Sequence, residues 1–289
     1  MIWLQGMNQA INYIEDNLAD DISYDEAAKQ ALCSTYHFQR MFSFLLDLPL
    51  SEYIRRRRLT LAAFELQSTN IKIIDLALKY GYESPDSFTR AFVHLHGVTP
   101  TVARETGIVL KAFPRISFHI SVKGEVEMNY RMEPQAAFQL FGKAITLKPE
   151  DDLYQVLPSF GDEIWENGTH DRINNLAGNS PGTLLYGVHF GYQEDGSRSY
   201  MFAWNSPQQE IPNDFTVLDV PAVTWAVFEE FGTMPDQIAI QKIWNRVYSE
   251  WFPTSGYEQA QGPCLEKYIW LDDTKISYRC EVWIPVVKK

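Results

Sequence analysis

The stretch Tyr80-Gly81-Tyr82-Glu83-Ser84-Pro85-Asp86-Ser87-Phe88-Thr89-Arg90-Ala91-Phe92 reads as the end of one helix, a tight turn and the start of another. Gly81 suits the left-handed position just past a helix C-terminus. Ser84 is an N-cap residue, and Pro85 fits the first helical position, where its missing N–H costs nothing. Asp86 then sets an acid against the positive end of the new helix. Phe88, Ala91 and Phe92 are three and four apart and form an apolar stripe, while Asp86, Ser87 and Arg90 share another face. The spacing predicts a helix over 71–79 after Asn70, and a second over 85–96 that ends near Gly97, before Pro100.

The same arrangement recurs toward the N-terminus. Ser23-Tyr24-Asp25-Glu26 is a capping box, serine at the N-cap and glutamate at N3, opening a short helix over 24–31. Ser34 caps a helix over 35–46, Pro49 stops its continuation, and Ser51 caps a long helix over 52–67. Met7, Ala10, Ile11, Ile14 and Leu18 mark one more helix ahead of these. Two short-helix pairs, joined by a long helix, fit a doubled helix-turn-helix. On the second helix of the first pair, Tyr36, Gln39 and Arg40 are neighbours, and Phe38, Met41, Phe42 and Leu45 face inward. Glutamine can pair adenine and arginine guanine in the major groove. A plain solvated helix face has the same spacing, so periodicity leaves both readings open. The run Arg55–Arg58 likewise reads either as a phosphate contact, with Arg57 the candidate, or as a solvated face with acidic partners such as Glu52. One turn disperses four consecutive residues, so at most two can face the same backbone.

The chain has 289 residues, 45% hydrophobic and 14% aromatic, which suits two domains with real cores. Its net charge is −12, and neither half is basic. Residues 1–107 hold 10 Lys+Arg against 13 Asp+Glu, and residues 108–289 hold 15 against 24, so any DNA contact must come from a local basic face. No apolar run approaches the ~20 residues of a membrane span. The start of the chain lacks a basic region and a small-residue cleavage site. Cys33, Cys264 and Cys280 form no disulfide framework and no C-x-x-C, and read as buried small hydrophobes in a reducing cytoplasm. His94 and His96 diverge on a helix, so zinc is not expected, and no P-loop, Rossmann or G-x-S-x-G pattern calls for a cofactor.

Residues 108–129 read as a linker between a domain at 1–107 and one at 130–289. Apolar alternation at Ile116, Phe118, Ile120 and Val122 suggests an added edge strand. The second domain reads α+β, built from two β-α-β-β units. The first has a strand around Pro134–Leu147, a helix around Leu153–Asn167 and strands at Thr183–Tyr192 and Tyr200–Asn205. The second has a strand around Phe215–Phe231, a helix around Asp236–Trp251 and strands at Cys264–Leu271 and Ser277–Val287. Pro134/Pro221, Trp165/Trp244, Tyr186/Tyr268 and Trp204/Trp283 recur at similar offsets and pair the units. Period-two alternation puts Glu266, Tyr268 and Trp270 on one face and Leu265, Ile269 and Leu271 on the other, against a helix. Glu281 and Trp283 share a face in the last strand. Tyr186, Phe202 and Trp204 are their counterparts in the first unit, which gives an aromatic wall with two carboxylates, suited to a lipophilic cation. Aromatics on sheets also serve as core, and Glu266 could instead pair with Lys267 or Arg279. Arg279 could also neutralise Glu281, which favours a zwitterionic or neutral ligand.

Cys33–Phe42, Tyr80–Phe92 and Gly97-Val98-Thr99-Pro100 make residues 7–104 similar to bacterial AraC/XylS-type transcriptional regulators. The resemblance implies two recognition helices set into successive major grooves by one chain, an activator role and contact with RNA polymerase. It puts Tyr36, Gln39 and Arg40, and Asp86, Ser87 and Arg90, at the base-reading positions. Pro85 and Asp86 make the second helix less basic than the family pattern. Residues 130–289 resemble the GyrI-like effector-binding domain through the doubled unit and Cys280-Glu281-Val282-Trp283-Ile284-Pro285-Val286. That resemblance implies a cleft for small amphipathic, often cationic compounds. Two alternatives stay open: a hydrolase with Glu281 as general base, and a module that sequesters compounds or a protein. A single chain spanning both grooves would bind a site without two-fold symmetry as a monomer.

Overall fold

The computed structural model describes residues 2–105, 107–119, 127–149, 151–178, 186–207, 209–233, 238–271, 274 and 276–289. The chain divides into two compact units, residues 1–122 and 123–289.

The first unit is helical: α1 (Ile2–Asp16), α2 (Tyr24–Gln30), α3 (Thr35–Leu46), α4 (Leu50–Ser68), α5 (Ile73–Lys79), α6 (Pro85–His96) and α7 (Pro100–Ala103). Serine oxygens cap the starts as the sequence predicts: Ser23 accepts from Glu26 N, Ser34 from His37 N and Ser84 from Ser87 N. Gly97 takes the left-handed C-cap of α6. Two starts differ from expectation. At α4 the extended Pro49, not Ser51, takes the N-cap position. At α5 the helix opens at Ile73, because residues 69–71 are held extended: Thr69 Oγ1 accepts from Ile71 N, and Arg104 donates to the carbonyls of Thr69 and Ile71.

Each helix pair has its own core. Phe38 and Phe42 meet Met7, Ile11, Ile14 and Leu18 in the first; Phe88 and Phe92 meet Leu76, Ala77 and Tyr80 in the second. Both cores share α4, which gives Leu50, Tyr53 and Ile54 to one and Leu59, Ala62, Ala63 and Leu66 to the other. At 1.5 Å per residue this 19-residue helix is about 28 Å long.

Residues 107–119 form no strand, and they do not float. They run as a strap antiparallel to α4. Ile108 O accepts from Gln67, Phe113 N donates to Thr60, Ile116 N donates to Tyr53, and Phe118 exchanges two hydrogen bonds with Asn8. Leu110 and Phe113 pack on the second core, Ile116 and Phe118 on the first. The expected edge strand fails because these apolar residues find helices to bury against and side chains to satisfy their backbone. Ile120 and Val122 lie outside the described residues.

The second unit comprises β1 (Tyr130–Gln135), β2 (Phe138–Leu147), α8 (Leu153–Glu166), α9 (Thr169–Leu176), β3 (Tyr186–Phe190), β4 (Arg198–Asn205), β5 (Thr216–Val220), β6 (Val223–Thr233), α10 (Ile238–Arg246), a π turn (Val247–Trp251), α11 (Phe252–Ser255), β7 (Tyr257–Gln259), β8 (Cys264–Trp270) and β9 (Ser277–Lys288). Thr183, Asp236 and Gln237, expected in a strand and a helix, lie outside the described residues. All pairings are antiparallel, in the order β1-β6-β9-β8-β3-β4-β2-β5, with β7 also on β9. The two long strands expected at 134–147 and 215–231 each break in two. β1 crosses to β6 and β2 stays on β4, while β5 crosses to β2 and β6 stays on β9. A short break lets each arm reach the other half of the sheet, a long-range pairing that periodicity does not encode. The helices cover one face, where Phe160 stacks on Phe202 and Trp244 donates to Glu266. The far face has its own apolar cluster, including Leu140, Val188, Met201, Trp225, Leu265 and Trp283.

Candidate functional site

In α3, Tyr36 and Gln39 are half-buried, and Thr35 is fixed by a hydrogen bond to Asp25 of α2. Arg40, expected beside Gln39 as a base reader, is 7% exposed. Its guanidinium lies 5.0 Å from the centroid of the Phe44 ring. One residue's rotation around the helix turns it from the surface into the interior. In α6, Asp86 and Arg90 are exposed. The Ser87 hydroxyl donates to Ser84 O at 2.8 Å and so serves the cap.

Arg55 and Arg56 both pair with Glu52. Arg57 forms a two-pronged ion pair with Glu15 of α1 and donates to Phe113 O. Arg58 donates to the carbonyls of Leu18 and Asp20. A side chain on Gly81, whose φ is +77°, would meet Arg58 Nη1 at 2.8 Å. Arg57 is therefore not presented to a phosphate: it is 8% exposed, and its donors are spent inside the protein.

Strand registers revise the ligand wall. Tyr186 lies opposite Lys267, Lys267 opposite Glu281, and Leu265 opposite Trp283, so all five share the far face. Glu266 and Tyr268 point to the helix face, against expectation, and so do Phe202 and Trp204, which pack with Phe160, Ile173 and Phe141. Trp270 follows their parity and lies against Tyr278 at the end of β8. Leu265, expected against a helix, joins the far-face cluster instead. The offset pairing fails for the same reason. Tyr186 and Tyr268 are on opposite faces, as are Trp204 and Trp283, and Trp165 is 58% exposed where Trp244 is 4% exposed. Composition gave no sign of which face the helices would cover.

On the far face Glu281 is buried. Arg131 Nη2 donates to its Oε1 at 3.1 Å and Trp283 Nε1 to its Oε2 at 2.9 Å, with Arg279 Nη2 at 3.5 Å. Burial pushes its pKa up, but the bonds from Arg131 and Trp283 and the nearby cations outweigh it and hold the carboxyl below its ordinary value. Lys267 Nζ stands 3.5 Å from the Trp283 ring centroid and 5.1 Å from that of Tyr186. Burial brings this ammonium down to about 8, against the pull of Glu281 and Glu133. A cleft of about 480 Å³ opens beside it, lined by Gln135, Phe138, Tyr186, Asn205, Leu265, Lys267 and Trp283 among others.

Behind the sheet Glu266 accepts from Trp244 Nε1 at 2.7 Å and contacts His189 Nε2 at 3.2 Å. Gly187 makes room for this: a Cβ there would meet Tyr200 Oη at 2.5 Å and Glu266 Oε2 at 3.1 Å. Burial raises the Glu266 pKa, and the His189 charge and the donors more than offset it. Sequence reasoning missed Arg131, Lys267 and His189. Arg131 was unreachable because the pairing of β1 with β6 is not local. Lys267 was missed through phase: it shares parity with Leu265, whose face was expected against a helix, and the registers put that face on the far side.

Comparison with known proteins agrees with this architecture. Residues 128–287 match the GyrI-like small molecule binding domain, and residues 27–106 match a helix-turn-helix domain. The HTH-type transcriptional activator AarP of Providencia stuartii is 41% identical over 98 residues, 34% of this chain and 73% of AarP. The right origin-binding protein of Escherichia coli K12 is 26% identical over 305 aligned positions, covering 99% of this chain and 96% of its own. The transcriptional regulator Rob of Salmonella typhimurium LT2 gives the same identity and coverage. With both halves matched, the chain belongs to the AraC/XylS-type helix-turn-helix transcriptional regulators and carries a GyrI-like small molecule binding domain as its second unit.

Proposed function

We propose that this protein is a sequence-specific DNA-binding regulator of transcription, acting as an activator, whose DNA affinity or polymerase contact responds to a small amphipathic effector. One observation carries the reading: α3 and α6 are second helices of two helix-turn-helix pairs built on one rigid α4. Successive major-groove faces lie ~34 Å apart, and a shared beam of about 28 Å suits that reach within one polypeptide. Tyr36, Gln39, Asp86 and Arg90 are the base-reading candidates that retain access to solvent and are not engaged in a helix cap, as the Ser87 hydroxyl is. The protein works in the cytoplasm, where its double-stranded DNA is, and binds as a monomer. Footprinting on a site without two-fold symmetry tests this, with the stoichiometry read by sizing. An obligate dimer on an inverted repeat would contradict it. Among the described residues no helix is long and apolar enough to cross a membrane.

The far-face cleft beside Trp283 is the effector site in this reading, with Tyr186 and Glu281 adjoining. The duplicated unit is supported by the strand order, which reads the same from either end when β1, β2, β3 and β4 are exchanged for β5, β6, β8 and β9. An effector can change DNA binding only through its different affinities for two states, typically ~1–3 kcal/mol of coupling. Hydrolysis by Glu281 is the weaker alternative, because a carboxylate held below its ordinary pKa is a poor general base near neutrality. Turnover of a bound ligand would reinstate it.

A further inference from the structure

The cleft that this reading treats as the effector site carries one charged side chain among its described lining residues, and that side chain is a cation. Glu281, the acid that would draw a positive ligand, does not line the cleft. Its two oxygens already meet Arg131, Arg279 and Trp283 Nε1. The ring faces that would attract a ligand cation are also engaged. Lys267 Nζ stands over Trp283 at 3.5 Å and over Tyr186 at 5.1 Å, and the Arg131 guanidinium is 5.4 Å from the Trp283 centroid.

We infer that Lys267 sets the charge class of the effector: the cleft takes an amphipathic anion whose carboxylate pairs with the Lys267 ammonium and whose apolar body lies along Trp283, Tyr186, Phe138 and Leu265. The inference rests on the cleft being the effector site. A cation would have to displace a tethered ammonium from both rings before using them. An anion meets a donor that folding has already stripped of part of its water, so the pairing is made in a poorly screened place. The protein's own ammonium acts as a built-in competitor against ligands of its own sign, and discrimination comes from a repulsive element as much as from an attractive one. The charged groups facing Lys267 are Glu281 on β9 and Arg131 and Glu133 on β1, with the Tyr186 phenol on β3.

A matched pair of probes tests this on the full chain by calorimetry at pH 7: para-butylbenzoate and para-butylbenzyltrimethylammonium. The benzoate is expected to bind at least about tenfold more tightly, a difference of about 1.4 kcal/mol. Lys267→Met should remove that preference and improve the cation, while Lys267→Arg should keep it. Benzoate affinity unchanged by Lys267→Met, a wild-type preference for the cation, or no binding of either probe would overturn the inference. Trp283→Ala separates the two levels. If the wild type prefers the cation and Trp283→Ala abolishes that binding, the anion assignment fails and the cleft stays the effector site. Benzoate binding indifferent to Trp283→Ala overturns both.

Discussion

Arg57 grips the Glu15 carboxylate with two nitrogens, Nη2 at 2.7 Å from Oε2 and Nε at 2.8 Å from Oε1, while its Nη1 donates to Phe113 O at 2.6 Å. One side chain thus ties α1, α4 and the strap. Tyr53 adds a hydrogen bond to the same carboxylate at 2.5 Å. Both partners are almost fully enclosed, so removing one leaves an unpaired buried charge, which costs about 3 kcal/mol or more. Arg57→Ala is expected to lower stability by about that amount in urea unfolding. It should leave the salt dependence of DNA binding unchanged while the protein is folded. A phosphate contact would behave in the opposite way, with little loss of stability and a slope reduced by about one.

Base reading makes a separable demand. Gln39 on α3 and Arg90 on α6 belong to different cores, so their effects should be independent. Gln39→Ala should relax preference at one half-site by about 1–3 kcal/mol, and Arg90→Ala at the other by a similar amount. The double variant should show the sum. Affinities for a panel of single-base changes read this directly. Two substitutions that relax the same position would contradict the assignment of one half-site to each helix.

The helical unit was legible because its signals are local. Ser23, Ser34, Ser84, Pro85 and Gly97 each act within a few residues, and all stand where spacing placed them. Arg40 was misjudged because three-and-four spacing finds neighbours on a helix and cannot say which edge of the apolar stripe is inside. In the sheet, alternation along a strand was read correctly, but its phase was not. Glu266 and Tyr268 do share a face, yet it is the helix face, and only the registers with β3 and β9 reveal that. The strap was hidden for a related reason: the hydrogen-bond partners of Phe113 N and Ile116 N lie 53 and 63 positions earlier, and no local pattern announces such a partner.

Glu281 lies between Arg131, Arg279 and Trp283 Nε1, so its amidation is expected to cost stability as well as change the charge beside the cleft. Glu281→Gln leaves two guanidiniums facing a neutral group, though Arg131 keeps Glu133 and considerable solvent contact. The expected loss is about 1–3 kcal/mol, below the full cost of a broken buried pair. The pH dependence has a definite sign. The folded pKa lies below the unfolded value of about 4.3, so the stabilising contribution is complete above that value. It disappears as pH falls through the lower folded pKa. Thermal midpoints of wild type and variant should therefore converge in acid. A constant difference from pH 7 down to pH 2 would remove the ion pair as the cause.

Lys267 predicts a trend of the same sign at the alkaline end, but with the charged form as the costly one. Its folded pKa, about 8, lies below the unfolded value, so between the two the unfolded chain binds more protons. Stability from this group must then rise as pH climbs from about 8 toward 10.4, where an ordinary lysine finally loses its proton. At pH 7 the ammonium is charged in both states and its partial burial is a net cost to the fold. Lys267→Met keeps the apolar stem and removes the charge, so it should stabilise the unliganded protein by about 1–2 kcal/mol after discounting for its remaining solvent contact. The gain should shrink as pH rises through the window, because wild type then sheds the same charge. Denaturant unfolding of the two proteins at pH 7 and pH 10 decides it. A variant less stable than wild type at pH 7 would mean that the rings of Trp283 and Tyr186, with Glu281, repay the burial of the ammonium in full.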